Sequence, residues 1–102
     1  MLEIRPNCEC CDKDLPVDSV KAMICSYECT FCLSCVDDTL KNVCPNCGGG
    51  FTQRPIRPIV ARRTGLSLIH QPASTERINT NFSLKELKEF SDLAKNIAPE
   101  NR

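Results

Sequence analysis

The chain has 102 residues and a mass of 11.4 kDa, with 13 basic and 13 acidic side chains and a formal net charge of zero. Only 41% of residues are hydrophobic, 5% are aromatic and none is Trp, while nine are Cys. So short a chain excludes a barrel enzyme, a dinucleotide-binding fold of usual size and any large buried active site; it makes one small domain with a tail, of the kind that metals or disulfides staple because the core alone is marginal.

The opening segment, Met1 to Asn7, lacks the charged-then-apolar order of a secretory signal. No apolar run reaches the roughly 18 residues that a membrane span needs. A cytoplasmic, soluble protein is therefore expected, in a reducing compartment where dense cysteines are metal ligands rather than disulfides. The odd total of nine also speaks against a fully paired disulfide set.

All nine cysteines fall between Cys8 and Cys47, in a head (residues 1–50) with four basic and eight acidic residues. A tetrahedral metal site needs four ligands, and a Cys-x-x-Cys knuckle supplies two from one tight turn whose amides point at the sulfurs. Cys8/Cys11, Cys32/Cys35 and Cys44/Cys47 have that spacing, and Cys25/Cys29, with three residues between, is a fourth pair. Four pairs make two four-cysteine sites and leave Cys10 over, as a small filler beside the first knuckle or as a redox or metal-exchange thiol. The spacing leaves the assignment open. The pairs can be used sequentially or interleaved, and Cys29 and Cys32 are close enough to form a knuckle of their own.

The expected apolar core of the head is Leu15, Val17, Val20, Ile24, Phe31, Leu33, Val36, Leu40 and Val43. Such a core is small beside the about 10–16 kcal/mol of apparent binding energy that a structural zinc site contributes in small peptides. Metal removal is thus expected to unfold residues 1–50.

The connector (residues 51–81) carries Arg54, Arg57, Arg62 and Arg63 with prolines at 55, 58 and 72, and holds no acid before Glu76. Each proline removes a donor and confines its predecessor to extended geometry, so Arg54–Ile59 reads as an extended basic arm off the head. His70 reads as a solvated loop residue. Gly48-Gly49-Gly50, with no following Lys-Ser/Thr and helix, reads as a flexible exit from the last knuckle and not as a phosphate loop.

The tail (residues 82–102) has the capping-box pair Ser83 and Glu86, with Phe82 and Leu87 at the positions of a hydrophobic staple. Leu84, Leu87, Phe90, Leu93, Ala94 and Ile97 recur at three-to-four-residue steps, which predicts an amphipathic helix over 84–98, stopped by Pro99.

The order C-x2-C-x13-C-x3-C-x2-C-x2-C-x8-C-x2-C over residues 7–50 resembles the RING finger, with Cys29 where that family most often has histidine. Phe31 before Cys32, a short helix from Val36 to Val43 and the closing Cys44-Pro45-Asn46-Cys47 are similar to its other landmarks. The head also resembles a family of small bacterial cysteine-rich proteins of unknown function. The RING resemblance implies a metal-stabilised α+β cross-brace, treble-clef-like, with a short hairpin and one short helix. It implies Cys8, Cys11, Cys32 and Cys35 on site 1 and Cys25, Cys29, Cys44 and Cys47 on site 2, holding two Zn ions; iron fits the same four-cysteine chemistry.

Four cysteines per ion leave no open position for catalysis, so the expected function is non-enzymatic: a structural zinc-binding module that docks a protein partner, through the 84–98 helix and the arm, or a second copy of itself as a homodimer. One alternative is a RING-type ubiquitin-ligase-like or modifier cofactor role. Against it, the family's docking surface is matched only by Pro45, since Glu9 and Cys10 fill the first knuckle, no Trp is present and glycines follow Cys47. The second alternative is a nucleic-acid-binding adaptor acting through the basic arm, which has neither aromatic interleaving nor a groove-reading helix.

Overall fold

The computed structural model describes all of residues 1–102. Three short strands form one antiparallel sheet in the order β2-β1-β3: β1 (Ala22–Ile24), β2 (Thr30–Cys32) and β3 (Thr52–Gln53). Helix α1 (Leu33–Cys35) follows β2 without a loop and widens into a π-type turn over Val36–Leu40. Helix α2 (Leu84–Ala94) and a 3-10 turn (Pro99–Asn101) complete the chain.

The β1–β2 hairpin pairs Met23 with Phe31 and Ile24 with Thr30. Its loop is Cys25-Ser26-Tyr27-Glu28-Cys29, closed by Cys25 N–H donating to the Cys29 carbonyl (3.2 Å) and Glu28 N–H to the Cys25 carbonyl (3.0 Å). Glu28 takes a left-handed φ of 67° to make this reversal. Phe31 is fully buried and meets Phe51 edge-to-face, with ring centroids 5.4 Å apart.

The helix expected at Val36–Val43 begins earlier and ends at Leu40. Lys41 and Asn42 both adopt left-handed backbone there, and Asn42 N–H reaches back to the Val36 carbonyl at 3.0 Å. The Asn42 side chain then accepts from Phe51 N–H (2.9 Å), which fixes where β3 enters the sheet.

The core joins side chains to cysteines: Leu15, Ala22, Phe31, Val36, Leu40, Phe51 and Leu87 pack with Cys8, Cys25, Cys29, Cys32 and Cys44. Of the expected core, Leu15, Phe31, Val36, Leu40 and Val43 are buried, but Val20 is 62% exposed and Leu33 is also at the surface. Ile4, Ala22, Phe51 and Leu87 take their place. Val20 precedes the first strand and Leu33 opens α1, so neither lies on an inward face.

The connector does not leave the head as an arm. Arg54 is 1% exposed, and its guanidinium donates to the carbonyls of Arg5 (2.8 Å), Pro16 (3.0 Å) and Leu15 (3.5 Å). Arg57 donates to the carbonyls of Leu2 and Gln71, each at 2.6 Å. The planar fork of arginine satisfies several carbonyls at once, so these prolines extend the chain along the head instead of away from it. Beyond the connector's loop, Ser74 N–H and Thr80 N–H donate to the carbonyls of Ile4 and Glu9. Arg77 binds Asp12 and Asp14.

The capping box forms as expected: Ser83 Oγ accepts from Glu86 N–H (3.1 Å), and the Glu86 carboxylate accepts from Ser83 N–H (2.9 Å). The helix itself stops at Ala94, short of the predicted Ala98. Its rotation also differs from the expected apolar face. Only Leu87 and Ser91 are buried, while Leu84, Phe90, Leu93 and Ile97 are all exposed. On the buried side Ser91 Oγ donates at 2.8 Å to the carbonyl of Leu40, which also accepts from Val43 N–H at 3.0 Å.

Candidate metal centre

Two turns of the head have the same backbone construction. In the first, Asp12 N–H donates to the Cys8 carbonyl (2.9 Å) and Cys8 N–H to the Lys13 carbonyl (2.9 Å). In the second, Gly48 N–H donates to the Cys44 carbonyl (2.7 Å) and Cys44 N–H to the Gly49 carbonyl (2.8 Å). Asp12 (φ 63°) and Gly48 (φ 80°) make the left-handed step directly after the second cysteine of each turn. The nearby amides of Cys11, Cys32 and Cys10 act to lower the Cys8 thiol, and those of Asn46 and Cys47 act to lower the Cys44 thiol. Amides converging on a sulfur favour its charged form. Both turns are therefore shaped to hold thiolates.

The other two pairs reach the sulfurs by different means. Cys32 is the residue before α1 and Cys35 closes its three residues, so the helical turn brings the two side chains together. Cys25 and Cys29 are the first and last residues of the hairpin loop. Tyr27 N–H lies 3.4 Å from the Cys25 sulfur, the hairpin's version of the knuckle bond.

The fold brings the sulfurs of Cys8, Cys11, Cys32 and Cys35 within 4.8 Å of one another, and those of Cys25, Cys44 and Cys47 likewise. Each group thus draws on non-adjacent pairs. The Cys11 and Cys32 sulfurs are 3.8 Å apart. A tetrahedron with metal–sulfur arms of about 2.3 Å has edges of about 3.8 Å. Cys29 stands beside the second group, with its thiol against Cys25 and the Asn46 amide, outside the mutual distance that links the other three. Cys10 places a further sulfur beside the first group, where Cys35 acts to lower its thiol. All nine thiols are free.

Burial and mutual repulsion act against ionisation of this many sulfurs. Burial pushes Cys8 up to about 11, and raises Cys35 and Cys44 further, with neighbouring thiols adding to the effect. Cys29 and Cys10 are also raised, burial first. Cys11 alone is lowered: burial acts upward, but the Lys13 amide and the surrounding thiols outweigh it. A dication reverses this balance, because it supplies the charge that clustered thiolates lack. The donor set therefore fits a metal of the zinc or iron type at each group.

Glu9 is the site residue that sequence reasoning missed. It lies inside the first knuckle, is 4% exposed, and its carboxylate accepts from Thr30 N–H (2.7 Å), Arg5 (3.0 Å) and Asn46 (3.3 Å). It thereby ties the first knuckle to β2 and to the second knuckle. Its partnership with Arg5 four residues earlier was the available signal.

His70 lies far from this chemistry in the connector loop, where its Nδ1 is 2.9 Å from Ser67 Oγ. No helix is long and apolar enough to cross a membrane.

The family described as "Protein of unknown function (DUF1272)" matches residues 1–57, which include every cysteine. An uncharacterized protein of Rhizobium meliloti (strain 1021) is 54% identical over 78 residues, covering 76% of this chain and 86% of the relative. No solved structure matches.

Proposed function

The chain belongs to the DUF1272 family of proteins of unknown function, and we propose that it is a non-enzymatic, cross-braced module in which two structural zinc ions hold a protein-docking surface in shape. The observation that carries this reading is the interleaved grouping of the sulfurs, Cys8 and Cys11 with Cys32 and Cys35, and Cys25 with Cys44 and Cys47. This arrangement resembles a RING finger. In it Cys8, Cys11, Cys32 and Cys35 hold one ion, and Cys25, Cys44 and Cys47 the other, with Cys29 turning in as its fourth ligand.

Bound zinc supplies cross-links that take the place of a large core. A tetrahedral ion with four protein ligands has no position left for water or substrate, which supports a structural role. Thiolate ligation adds charge of about −2 per site, so the loaded head carries about −8. An acidic head favours a protein partner over nucleic acid. Arg54 and Arg57 are engaged with carbonyls, leaving Arg62 and Arg63 as the outward cations of the former arm. Pro45 lies beside α2, which favours docking through that helix over capture of a conjugating enzyme by the bare knuckle.

Mass spectrometry of the native protein checks the reading directly: two zinc ions per chain are expected, and chelation collapses the NMR dispersion of residues 1–50. A metal-free chain that remains folded refutes it.

A further inference from the structure

Two surfaces of this molecule are apolar, ordered and uncovered. The first is an open groove of about 530 Å³ between the second knuckle and α2, lined by Pro45, Phe82, Phe90 and Leu93 with Glu86 and Glu89. Leu93 is 73% exposed, and its neighbours Phe82 and Phe90 are also uncovered. The groove forms because α2 turns Leu87 and Ser91 to the head and leaves Phe90 and Leu93 outward. Its charged lining is acidic.

The second surface is the loop from Ile59 to Ile69. Ile59, Val60, Leu66 and Ile69 are exposed, with Ile69 at 81%, and Arg62 and Arg63 between them carry no ion pair. The segment from 51 to 75 contains no acid. Yet the loop is tightly built. Leu68 N–H donates to the Pro58 carbonyl (2.8 Å) and the Gln71 side chain to the Gly65 carbonyl (2.8 Å). Arg57 clamps the neck to Gln71 and Leu2. A loop fixed in this way presents apolar side chains to water at a cost, and loses little freedom when it docks.

We infer that a second copy of this chain fills the groove: its 59–69 loop sets isoleucine, valine and leucine against Phe82, Phe90 and Leu93, and its Arg62 and Arg63 against Glu86 and Glu89. The two surfaces are complementary in polarity and opposite in charge, which is what favours a second copy over an unrelated partner. Each copy has one groove and one loop, so a two-fold pairing buries both at once. The inference deepens the docking reading above and rests on it.

Sedimentation velocity on the metal-loaded full chain tests it, with the mass expected to rise from one chain to two across the micromolar range. Arg62→Glu/Arg63→Glu repels the groove. Glu86→Gln/Glu89→Arg repels the loop while keeping the helix cap, because glutamine also serves there. Each variant alone is expected to stay monomeric, with wild-type metal content and circular dichroism. An equimolar mixture of the two is expected to regain the dimer, since both of its contacts then join opposite charges. A dimer indifferent to these changes overturns the inference, as does a mixture that stays monomeric. If the wild-type chain is itself monomeric, fluorescence anisotropy with a labelled amphipathic Leu/Lys helix separates two failures. Binding of that peptide overturns self-pairing and keeps the docking reading; absence of binding overturns both.

Discussion

The two sulfur groups share a knuckle design and differ in how the second pair of cysteines is delivered. At the first group, Cys32 and Cys35 sit on the opening turn of α1, and all four sulfurs come within 4.8 Å of one another. At the second, Cys25 and Cys29 are the first and last residues of a five-residue hairpin loop, and three sulfurs gather while Cys29 stands aside toward Asn46. A helical turn fixes two side chains three apart on one face. A hairpin loop fixes its backbone ends and leaves its side chains more latitude. The difference teaches that ligand spacing alone does not set how completely a site is prearranged; the element that carries the pair does.

The harshest way to break the comparison is to remove metal altogether. Chelation is expected to unfold the head, a loss of about 10–16 kcal/mol of apparent binding energy per site. Nuclear magnetic resonance dispersion and near-ultraviolet dichroism report it. Loading must also displace protons from thiols that burial has raised, Cys8 to about 11 among them. Apparent metal affinity is therefore expected to climb with pH through the neutral range and to fall in acid, measured by competition with a chromophoric chelator.

Single substitutions sharpen it. Cys32→Ser and Cys44→Ser are each expected to lose one of the two metal equivalents. Cys29→Ser is expected to weaken the second ion less than Cys44→Ser does, because the Cys29 sulfur stands outside the distance that links the other three. Equal loss in Cys29→Ser and Cys44→Ser would show that loading draws all four sulfurs in equally.

Outside the metal groups the effects shrink. Arg54→Met strips donors from three carbonyls in a buried setting, so urea denaturation is expected to show a loss of about 2–4 kcal/mol. Arg54→Lys is not expected to rescue it, because an ammonium lacks the flat fork. Ser91→Ala removes one of the two donors to the Leu40 carbonyl and is expected to cost about 0.5–1.5 kcal/mol, with faster amide exchange along α2. Ser83→Ala removes one half of the capping box, for about 1 kcal/mol.

The contrast between chain and fold can be followed through particular residues. The knuckles were legible because Cys-x-x-Cys is a local turn whose hydrogen bonds close within six residues. The capping box of α2 was legible for the same reason, since Ser83 and Glu86 satisfy each other without outside help. The apolar stripe of that helix was legible but not how much of it meets the head, because periodicity describes a cylinder and not its rotation: Leu87 and Ser91 face the head while Phe90 and Leu93 do not. Arg54 reads in the sequence as part of an extended basic arm, since nothing near it reveals that carbonyls at positions 5, 15 and 16 lie waiting. Glu9 was hidden likewise, with partners on β2 and in the second knuckle.

By itself the amino-acid order determined the inventory: four cysteine pairs, the helix start and the proline-extended connector, all set by interactions between neighbours a few residues apart. Only the tertiary structure decided which sulfurs meet, which way α2 turns and where the arginines of the connector end. Those outcomes depend on contacts across 20 to 70 residues of chain, where each donor chooses among many acceptors and the buried ones must all be satisfied together.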